Sequence, residues 1–447
     1  MTRFDPSGPL RGSLRPPSDK SISHRAALIA TMGEGETEIT GYLDAADTRS
    51  TLRAVAALGA EVREGFNLKV LPVSPSPPPG SSMLLPPGLG LEIRGVGLRG
   101  ARSGTIDVGN AGTLLRLLPG WLSGQVGEKW TLDGDESIRR RPVDRIAVPL
   151  SQMGARLSAR EDRLPPLEIE GAPLHGITYE MPIASAQVKS CLLFAGLLAE
   201  GETRVVEPHP SRDHTERMLA AAGASVERDG DVVVVQPTER LEPGPISVPA
   251  DISSAAFFLT AAVLVPGSEI ELKSVGVNPT RIGLLAILER MGVEIEREGE
   301  VEGGGERVAT LRVRSAPLHA TEVGGAEIPL AIDELPLVAL AACFAEGTTV
   351  IRDAEELRRK ESDRIATVTE ALKALGGKVE PTEDGMVIEG TGALRGGTID
   401  SHGDHRIAML GAVAGLTSKE GVEVRGMDAA AVSYPGFESD LASLLTR

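Results

Sequence analysis

Two patterns of apolar and polar residues recur along the chain. The first is a helix-length apolar run that stops at a glycine and continues as a short strand. The glycines that open these strands are Gly35, Gly127, Gly201, Gly267, Gly347 and Gly421. Six copies of one pattern, spaced 66 to 92 residues apart, predict a repeated structural unit.

The second pattern is an amphipathic helix that ends at a glycine before another strand. Leu, Ala and Val at i, i+3 and i+4 form one buried stripe, and a glycine after the last turn adopts the left-handed conformation from which a strand leaves. These glycines are Gly59, Gly154, Gly223, Gly292 and Gly376. A sixth copy is cut short at residues 438–447. Each unit is therefore predicted as strand, helix, strand, helix and then strands.

The repeat count and the chain length together predict an α/β fold with two domains. A chain of 447 residues suffices for two or three domains with separate cores, and six units divide evenly into two groups of three. The longest glycine interval contains a proline-rich segment, residues 71–90, where missing N–H donors and fixed φ angles disfavour a strand. We expect an inserted surface loop there.

Composition narrows the class of protein. The formal net charge is −17, from 46 basic and 63 acidic side chains, and Phe, Tyr and Trp number only 7, 3 and 2. Both features argue against binding to nucleic acid. No apolar stretch reaches the roughly 20 residues that span a bilayer, and the first residues lack the apolar core of a signal peptide. We expect a cytoplasmic protein that does not enter membranes.

Cysteine and histidine placement argues against metal or disulfide chemistry. Cys191 and Cys343 lie in apolar helical runs, where a small buried core residue is the simplest interpretation. The seven histidines show no metal-binding spacing. His24, His214 and His405 each adjoin Arg or Asp, and we expect them to pack in polar surroundings.

Cations and hydroxyls cluster at the starts of the predicted helices, where free backbone N–H groups favour anions. Lys20, Ser21 and Arg25 open the first helix, with residues 21 and 25 on one face. The other groups in the first half are Gly109–Arg116, Arg139–Arg141, Ser185–Lys189, which adds hydroxyl, amide and ammonium, and Ser211–His214. Each suits a phosphate or carboxylate, but helix capping explains Ser185 and Asp213 equally well, and a triple arginine is commonly a solvated face.

In the second half of the chain, acids stand beside cations. Asp333 and Glu334 lie at the mouth of an apolar helix, where desolvation would raise the pKa of a carboxylate toward the range useful for proton transfer. Residues 360–364 and 404–406 place mixed charges at two more helix starts, which surface ion pairs also explain. Because the clusters recur at the same end of the units, we expect the helix N-termini to face one cavity.

In these motifs the chain resembles the family of 5-enolpyruvylshikimate-3-phosphate synthases. The matching segments keep the family's order: PPSDKSISHRA at 16–26, GNAGTLLR at 109–116, RRRP at 139–142, SAQVKS at 185–190, SRDHTE at 211–216, AIDELP at 331–336, RRKESDR at 358–364 and DHR at 404–406. The resemblance implies the enolpyruvyl transferase fold, an inside-out α/β barrel of two globular domains, each of three βαβαββ units, with the active site in the cleft between them. It further implies an N-terminal domain of residues 20–248 and a C-terminal domain of residues 1–19 and 249–447.

The resemblance also implies two substrates, shikimate-3-phosphate and phosphoenolpyruvate, and neither cofactor nor metal. It assigns shikimate-3-phosphate to Lys20, Ser21, Arg25, Ser185, Ala186, Gln187, Arg212, Asp333 and Lys360. It assigns phosphoenolpyruvate to Lys20, Gly112, Arg141, Gln187, Arg364 and Arg406. In the implied addition–elimination, Asp333 takes the proton of the 5-hydroxyl, while Glu361, with Lys20 beside it, delivers and later removes the proton at the methylene carbon. We expect the protein to act as a monomer.

Some alternatives stay open at this point. Some family members carry a Lys-Thr-aromatic-Pro segment where this chain has Val-Ser-Tyr-Pro, residues 432–435. One cation on the phosphoenolpyruvate side is therefore missing here. Whether the protein tolerates glyphosate stays open. One rival activity is enolpyruvyl transfer to UDP-N-acetylglucosamine, whose enzymes have a reactive cysteine in a loop that contains none here, between Asp107 and Arg141. The other rival is a non-catalytic, anion-binding repeat protein.

Overall fold

The computed structural model describes residues 1–65, 88–303 and 305–445. The chain divides into two compact units. We call Ser18–Pro249 with Glu302–Glu306 the N-terminal unit, and Met1–Pro17, Ala250–Val301 and Arg307–Arg447 the C-terminal unit. The loop predicted at 71–90 lies outside the described residues except for 88–90, where the strand Leu89–Arg94 begins.

The described part of the N-terminal unit contains three four-stranded sheets of one topology. In each sheet an edge strand pairs in parallel with its neighbour, and the next two strands continue antiparallel. In hydrogen-bonding order the sheets are Ile246–Ser247, Glu36–Tyr42, Leu89–Arg94 and Glu61–Glu64; Gly104–Asp107, Lys129–Asp133, Leu164–Glu170 and Arg156–Arg160; and Thr178–Glu180, Thr203–Val206, Val232–Val235 and Val226–Asp229. A short parallel pair joins Leu174–His175 to Ala199–Glu200.

The C-terminal unit repeats this topology and recruits the start of the chain. Its sheets are Arg11–Leu14, Glu269–Gly276, Glu306–Arg314 and Ile295–Gly303; Glu322–Val323, Thr348–Ile351, Met386–Glu389 and Lys378–Pro381; and the three-stranded Gly397–Asp400, Val422–Arg425 and Thr2–Phe4. In the first of these sheets, the strand ends within Glu302–Glu306 belong to the N-terminal unit. Arg11–Leu14 pairs in parallel with Glu269–Gly276, and Thr2–Phe4 pairs antiparallel with Val422–Arg425. The first residues of the chain therefore complete sheets built from its second half.

Each sheet is accompanied by one buried apolar helix. These helices are Lys20–Met32, Gly112–Ser123, Ala186–Gly196, Ile252–Leu264, Leu335–Ala342 and His405–Thr417. Four of them begin at a side chain that accepts a hydrogen bond from a backbone N–H of the first turn, as Asp and Ser commonly do at N-caps. Those residues are Asp19, Ser185, Asp251 and Asp404.

A second, amphipathic set of helices follows the same count: Ala46–Ala57, Asp144–Gln152, His214–Ala221, Gly283–Arg290, Arg364–Ala374 and Phe437–Leu444. The glycines of both recurring patterns have left-handed φ angles. Those that open strands lie between +74° and +102°, and those that end amphipathic helices lie between +89° and +109°. The two predicted helix patterns and their glycine stops are confirmed, and so is the two-part α/β fold class.

Short helical segments fill the remaining connections. They are Glu136–Arg139 and Ile328–Ala331, with 3₁₀ turns at Gly325–Glu327, Glu355–Arg359 and Met427–Val432. Each unit has its own core of buried apolar side chains, drawn mainly from the buried helices and the central strands of its sheets. Separate cores are what a chain of this length requires, because one hydrophobic core stops growing at about 250–300 residues.

Two helices of the N-terminal unit pack unusually closely. A Cβ at Gly120, in helix Gly112–Ser123, would lie 2.0 Å from the carbonyl oxygen of Cys191, in helix Ala186–Gly196. Only glycine permits this approach, since the alternative is a clash with backbone. The same two helices also meet near their starts, where Gln187 Nε2 donates to Thr113 Oγ1 at 3.2 Å.

Candidate active site

Lys20 is the first residue of the first buried helix and forms an ion pair with a buried aspartate. Its Nζ lies 3.3 Å from Oδ2 of Asp47, and Nε2 of the buried His24 lies 3.7 Å from the same oxygen. Burial alone raises the pKa of Asp47, but Lys20 and His24 outweigh it and hold that pKa well below its usual range. The Lys20 side chain remains 28% exposed, so its ammonium is both oriented and reachable.

Arg25 lies one turn further along this helix and is almost completely buried. Its Nε donates to Thr215 Oγ1 at 2.7 Å, its Nη2 to Ser190 Oγ at 2.9 Å, and its Nη1 to the Ser21 carbonyl at 2.9 Å. Burial is the main reason that the pKa of Arg25 falls to about 10, and repulsion from Arg212 contributes. The Arg25 guanidinium is therefore held against Ser190 and Thr215, the latter three residues beyond Arg212.

Ser185 and Asp213 were predicted to be either caps or ligand contacts. Ser185 is the N-cap of helix Ala186–Gly196, and its Oγ accepts from Val188 N at 3.4 Å. Asp213 precedes helix His214–Ala221 without a side-chain cap bond, and its Oδ2 accepts from Arg217 Nε at 2.8 Å. The capping interpretation is confirmed for Ser185 and wrong for the side chain of Asp213.

Gly112, Arg141 and Gln187 lie close together at the start of helix Gly112–Ser123. A Cβ on Gly112 would lie 2.4 Å from Arg141 Nη1, so the guanidinium occupies the space that a larger residue would fill. Gln187 bridges to this helix, because Arg116 Nη1 donates to its Oε1 at 3.1 Å and its Nε2 donates to Thr113 Oγ1 at 3.2 Å. The helix has Ala111 at its N-cap and no side-chain cap bond.

Lys189 is not one of the anion-binding cations, although the sequence suggests that it is. Its side chain is fully buried, with Nζ 2.9 Å from Glu207 Oε2 and 2.6 Å from Glu216 Oε1. A cation neutralised by two carboxylates inside the protein has no charge left to offer a substrate. That part of the sequence interpretation is wrong.

In the C-terminal unit, one buried guanidinium joins three carboxylates. Arg364 is 1% exposed and reaches Glu361 Oε2 at 2.6 Å, Asp404 Oδ2 at 2.8 Å and Asp333 Oδ1 at 3.3 Å. Burial alone lowers the pKa of Arg364, but the three acids more than compensate and raise it. Arg364 therefore stays protonated, and it fixes the positions of two carboxylates predicted to be catalytic.

Asp333 lies among cations. Lys360 Nζ is 3.5 Å and Arg364 Nη1 is 3.3 Å from its Oδ1, while Arg406 Nη2 is 3.9 Å from its Oδ2. The sequence predicted an apolar setting for this carboxylate, at the mouth of helix Leu335–Ala342; its immediate surroundings are cationic. Arg406 also has a buried nitrogen, Nη1, that makes no hydrogen bond within the described residues.

Glu334 differs from its neighbour Asp333 in its partners. It is 1% exposed and accepts a hydrogen bond from Ser253 Oγ, which in turn accepts from Arg281 Nη2 at 2.7 Å. Arg406 Nη1 lies 3.6 Å from Glu334 Oε1. The two adjacent acids therefore have separate tasks: Glu334 is part of the buried support, whereas Asp333 is 14% exposed.

His24 and His214 lie in polar surroundings and both cysteines are buried, as the sequence predicts. His24 donates to or accepts from Thr51 Oγ1 at 2.6 Å, and His214 pairs with Glu306, a residue of the same N-terminal unit, at 2.6 Å. Both cysteines are buried and free. Within the described ranges, no group of three or more His, Cys, Asp or Glu side chains is placed to hold a metal ion. None of the helices described has the length and apolar character that crossing a bilayer requires.

The segment at 432–435 contributes to the core. Tyr434 is 2% exposed, its ring lies 5.7 Å from that of Phe258 and 5.5 Å from that of Phe437, and its hydroxyl donates to Asp440 Oδ2 at 2.7 Å. Val432, at the position where some relatives have lysine, is 36% exposed. An apolar side chain there supplies no charge.

Comparison with known families decides the relationship. Residues 4–78 and 93–441 match the family model described as EPSP synthase, 3-phosphoshikimate 1-carboxyvinyltransferase. The chain belongs to the EPSP synthase family. Every motif that suggested this family from the sequence lies within the matched residues, and the residues of those motifs form the clusters described above.

Relatives in the EPSP synthase family match over almost the full length. The chain is 52% identical to the 3-phosphoshikimate 1-carboxyvinyltransferase of Anaeromyxobacter sp. (strain Fw109-5), over 96% of this chain and 95% of that protein. It is 48% identical to the protein of that name from Alkalilimnicola ehrlichii, over 99% and 96%. The EPSP synthase structure from Acinetobacter baumannii superposes with a TM-score of 0.85 at 40% identity, covering 99% of this chain and 98% of that one.

Several residues of these clusters were not singled out from the sequence. Asp47 lies outside the motifs, and Ser190, Thr215 and Asp404 stand in the motifs 185–190, 211–216 and 404–406 without a role of their own. Their roles depend on which helix faces pack together. Polar residues inside an otherwise apolar helix, such as Ser190, are the signal that would have found some of them. The prediction that all helix N-termini face one cavity concerns both units and stays a prediction.

Proposed function

We propose that the protein transfers the carboxyvinyl group of phosphoenolpyruvate to the 5-hydroxyl of shikimate-3-phosphate and releases phosphate. Membership of the EPSP synthase family supports this activity, as does the name 3-phosphoshikimate 1-carboxyvinyltransferase that its relatives carry. The reaction joins two anions, each with a phosphate and a carboxylate. A chain with net charge −17 must attract them through locally concentrated cations.

The observation that carries the proposal is the position of Asp333 among Lys360, Arg364 and Arg406. A base that takes the proton of a hydroxyl must itself be ionised, and nearby cations favour the ionised form of a carboxylate. Asp333 is nevertheless 14% exposed, so a substrate hydroxyl has access to it. We therefore assign Asp333 as the base for the 5-hydroxyl.

For shikimate-3-phosphate we propose a site that centres on Arg25 and Arg212. Burial is the main cause that lowers the pKa of Arg25, and the charge of Arg212 adds to it, so a doubly charged phosphate at that position stabilises the cation and can accept bidentate hydrogen bonds. The other proposed contacts are Lys20, Ser21, Ser185, Ala186, Gln187, Asp333 and Lys360. Ser185 can serve as cap and as ligand together, because its hydroxyl accepts from Val188 N and keeps its own proton to donate.

For phosphoenolpyruvate we propose Arg364 and Arg406, with Lys20, Gly112, Arg141 and Gln187. The buried Nη1 of Arg406 lacks a hydrogen-bond acceptor among the described residues, and a carboxylate or phosphate oxygen is the acceptor that a guanidinium prefers. Because Gly112 has no Cβ, the guanidinium of Arg141 can lie against its backbone. Its helix also begins with no side-chain cap, so backbone N–H groups remain for an anion.

The proposed chemistry is addition followed by elimination. Asp333 removes the proton of the 5-hydroxyl as that oxygen bonds to C2 of phosphoenolpyruvate, and Glu361 delivers a proton to C3, giving a tetrahedral intermediate. Glu361 then takes a proton back from C3 while the C2–O bond to phosphate breaks, which leaves an enol ether and free phosphate. Glu361 is 33% exposed and held by Arg364 at 2.6 Å, and Lys20 is proposed to act beside it.

Two rival functions make different demands. Transfer to UDP-N-acetylglucosamine is associated by resemblance with a reactive loop cysteine, whereas both cysteines of this chain are buried. A non-catalytic anion-binding protein has no need of a partly exposed carboxylate held among three cations. Neither rival is favoured.

The deciding experiment follows phosphate release from the purified chain with shikimate-3-phosphate and phosphoenolpyruvate. We expect release only when both substrates are present, and none when UDP-N-acetylglucosamine replaces shikimate-3-phosphate. The Asp333→Asn variant serves as the matched control for contaminating activity. Absence of release by the unmodified protein would reject the proposal, and release with the UDP-sugar alone would reassign the activity.

A further inference from the structure

A cluster of four charged side chains, three of them buried and the fourth, Arg228, 33% exposed, lies beneath the segment that precedes helix His214–Ala221. Lys189 and Glu207 are both fully buried, and Lys189 pairs with Glu207 at 2.9 Å and with Glu216 at 2.6 Å. Arg228 completes the cluster by donating to Glu207 Oε2. Two cations thus face two carboxylates within the N-terminal unit.

Two members of the cluster, Lys189 and Glu207, form hydrogen bonds with Ser211 of the neighbouring segment. Lys189 Nζ donates to the Ser211 carbonyl at 3.3 Å. Glu207 Oε1 accepts from the Ser211 backbone N at 3.2 Å and from the Ser211 hydroxyl. These bonds fix the carbonyl, the amide and the side chain of the residue immediately before Arg212.

The residue after Arg212 is also held. Asp213 Oδ2 accepts from Arg217 Nε at 2.8 Å, one turn into the following helix. Arg212 therefore stands between two residues whose positions are set by ion pairs and hydrogen bonds. Its own side chain is partly exposed.

Such an arrangement needs a reason beyond stability. Buried ion pairs contribute little net stability, because the cost of removing charges from water offsets their attraction. Arg25 donates from Nε to Thr215 Oγ1 at 2.7 Å, three residues beyond Arg212. Burial is the main cause that lowers the pKa of Arg25, and the charge of Arg212 lowers it further. Something must hold the two guanidinium groups near each other before an anion binds, and the ion pairs beneath Ser211 are in the position to do so.

We propose that Lys189 and Glu207 are positioning residues for shikimate-3-phosphate: they anchor Ser211 so that Arg212 stays beside Arg25 and both guanidinium groups meet the anion. Neither residue touches the substrate. The inference rests on the proposed function, in which Arg25 and Arg212 bind this phosphate.

The test measures the Kd of shikimate-3-phosphate by calorimetry with the full chain. Lys189→Met keeps the length of the side chain and removes its charge. Because displacing a binding group by about 1 Å can reduce its effect up to about 100-fold, we expect shikimate-3-phosphate to bind roughly 10- to 100-fold more weakly. Ser211→Ala removes one hydroxyl and serves if Lys189→Met does not fold. It is expected to weaken binding about 3- to 10-fold. The KM for phosphoenolpyruvate should change much less.

A double-mutant cycle separates positioning from general damage. If Lys189 acts through Arg212, adding Lys189→Met to Arg212→Ala should weaken binding little further, whereas independent effects add. Leu192→Ala is the matched control, since Leu192 is buried in the same helix. It should lower the melting temperature and leave the Kd unchanged.

The outcomes distinguish this inference from the proposed function. If the unmodified protein does not bind shikimate-3-phosphate, the proposed function is rejected and the inference with it. If it binds, but the Lys189 and Arg212 effects add, or Leu192→Ala weakens binding as much as Lys189→Met, the positioning role alone is rejected. Unchanged affinity in Lys189→Met and Ser211→Ala would also reject it.

Discussion

Arg364 donates two hydrogen bonds to the single carboxylate of Asp404, from Nε to Oδ2 at 2.8 Å and from Nη2 to Oδ1 at 3.3 Å. The same carboxylate accepts from Arg406 N at 2.9 Å and so begins helix His405–Thr417. The buried carboxylate of Asp404 therefore orients the guanidinium of Arg364 and also the backbone of Arg406. Both arginines are proposed to bind phosphoenolpyruvate.

We predict that Asp404→Asn weakens both stability and phosphoenolpyruvate binding. Asparagine keeps the cap, but it removes the charge that balances buried Arg364, and breaking a buried pair costs about 3 kcal/mol. Denaturant unfolding should show this loss, and steady-state kinetics should show a raised KM for phosphoenolpyruvate. The matched control is Asp363→Asn, because Asp363 caps helix Arg364–Ala374 through Ala366 N and bonds to Arg358. Equal effects of the two variants would contradict the role given to Asp404.

The same residue predicts a pH dependence of folding. Burial alone raises the pKa of Asp404, but Arg364 outweighs it and lowers that pKa below its ordinary value of 3.8. A group with a depressed folded-state pKa stabilises the protein above its unfolded-state pKa, and this contribution is lost as the pH falls through the folded-state pKa. The free energies of unfolding of wild type and Asp404→Asn should therefore converge below pH 3.8. A constant difference between them down to the lowest accessible pH would refute this.

Gly112→Ala should impair phosphoenolpyruvate binding without destabilising the fold. The added methyl group would meet Arg141 Nη1 at 2.4 Å, and a flexible side-chain end can move away. Alanine in place of glycine at a helix start gains up to about 1 kcal/mol of helix propensity. We expect a higher KM for phosphoenolpyruvate and an unchanged Kd for shikimate-3-phosphate. Gly104→Ala, where a Cβ meets open space, is the control; a stability loss specific to Gly112→Ala would show that the methyl group displaces more than Arg141.

Asp333→Asn should reduce kcat by roughly 100- to 10,000-fold, the range that general acid–base catalysis contributes. The fold should persist, because Asp333 is partly exposed. Glu361→Gln should have a similar effect on kcat. The control is Glu355→Gln, an exposed acid of the same region that pairs with Arg359. Phosphate release at a wild-type rate by Asp333→Asn would remove this residue from the chemistry.

Neither cysteine should react with thiol reagents in the folded protein. Burial raises the pKa of Cys343 to about 12 and that of Cys191 well above its usual range, and the thiolate is the reactive form. We expect both thiols to be labelled only after unfolding in denaturant. Rapid labelling of the native protein with loss of activity would instead favour a cysteine-dependent transferase.

Helices, strands and turns were predictable because they depend mainly on residues that are close together in the sequence. Apolar runs with a glycine stop predicted the helices, and residues such as Gly35 and Gly59 have the left-handed φ angles expected of them. The motifs likewise identified Lys20, Arg25 and Asp333 as members of polar clusters. In each case the signal lies within about one turn of helix or one strand.

Partners distant in sequence were not predictable. Arg364 and Asp404 are 40 residues apart, and their bond depends on how two helices pack. The same reason applies to Lys189: its place at a helix start suggests anion binding, yet Val188 to Gly196 are all buried, so the helix has no solvent face there. Burial on every side leaves a charged residue to be neutralised by partners that only the tertiary fold supplies.

The pairing of Thr2–Phe4 with Val422–Arg425 has a consequence for synthesis of the chain. Ser18–Pro249 contains all the strands of the three N-terminal sheets, so that unit can form while translation is still in progress. The last sheet of the C-terminal unit cannot form until Val422–Arg425 has left the ribosome. Until then Thr2–Phe4 has no strand to pair with. We therefore expect the N-terminal unit of the nascent chain to become resistant to proteases well before the C-terminal unit does.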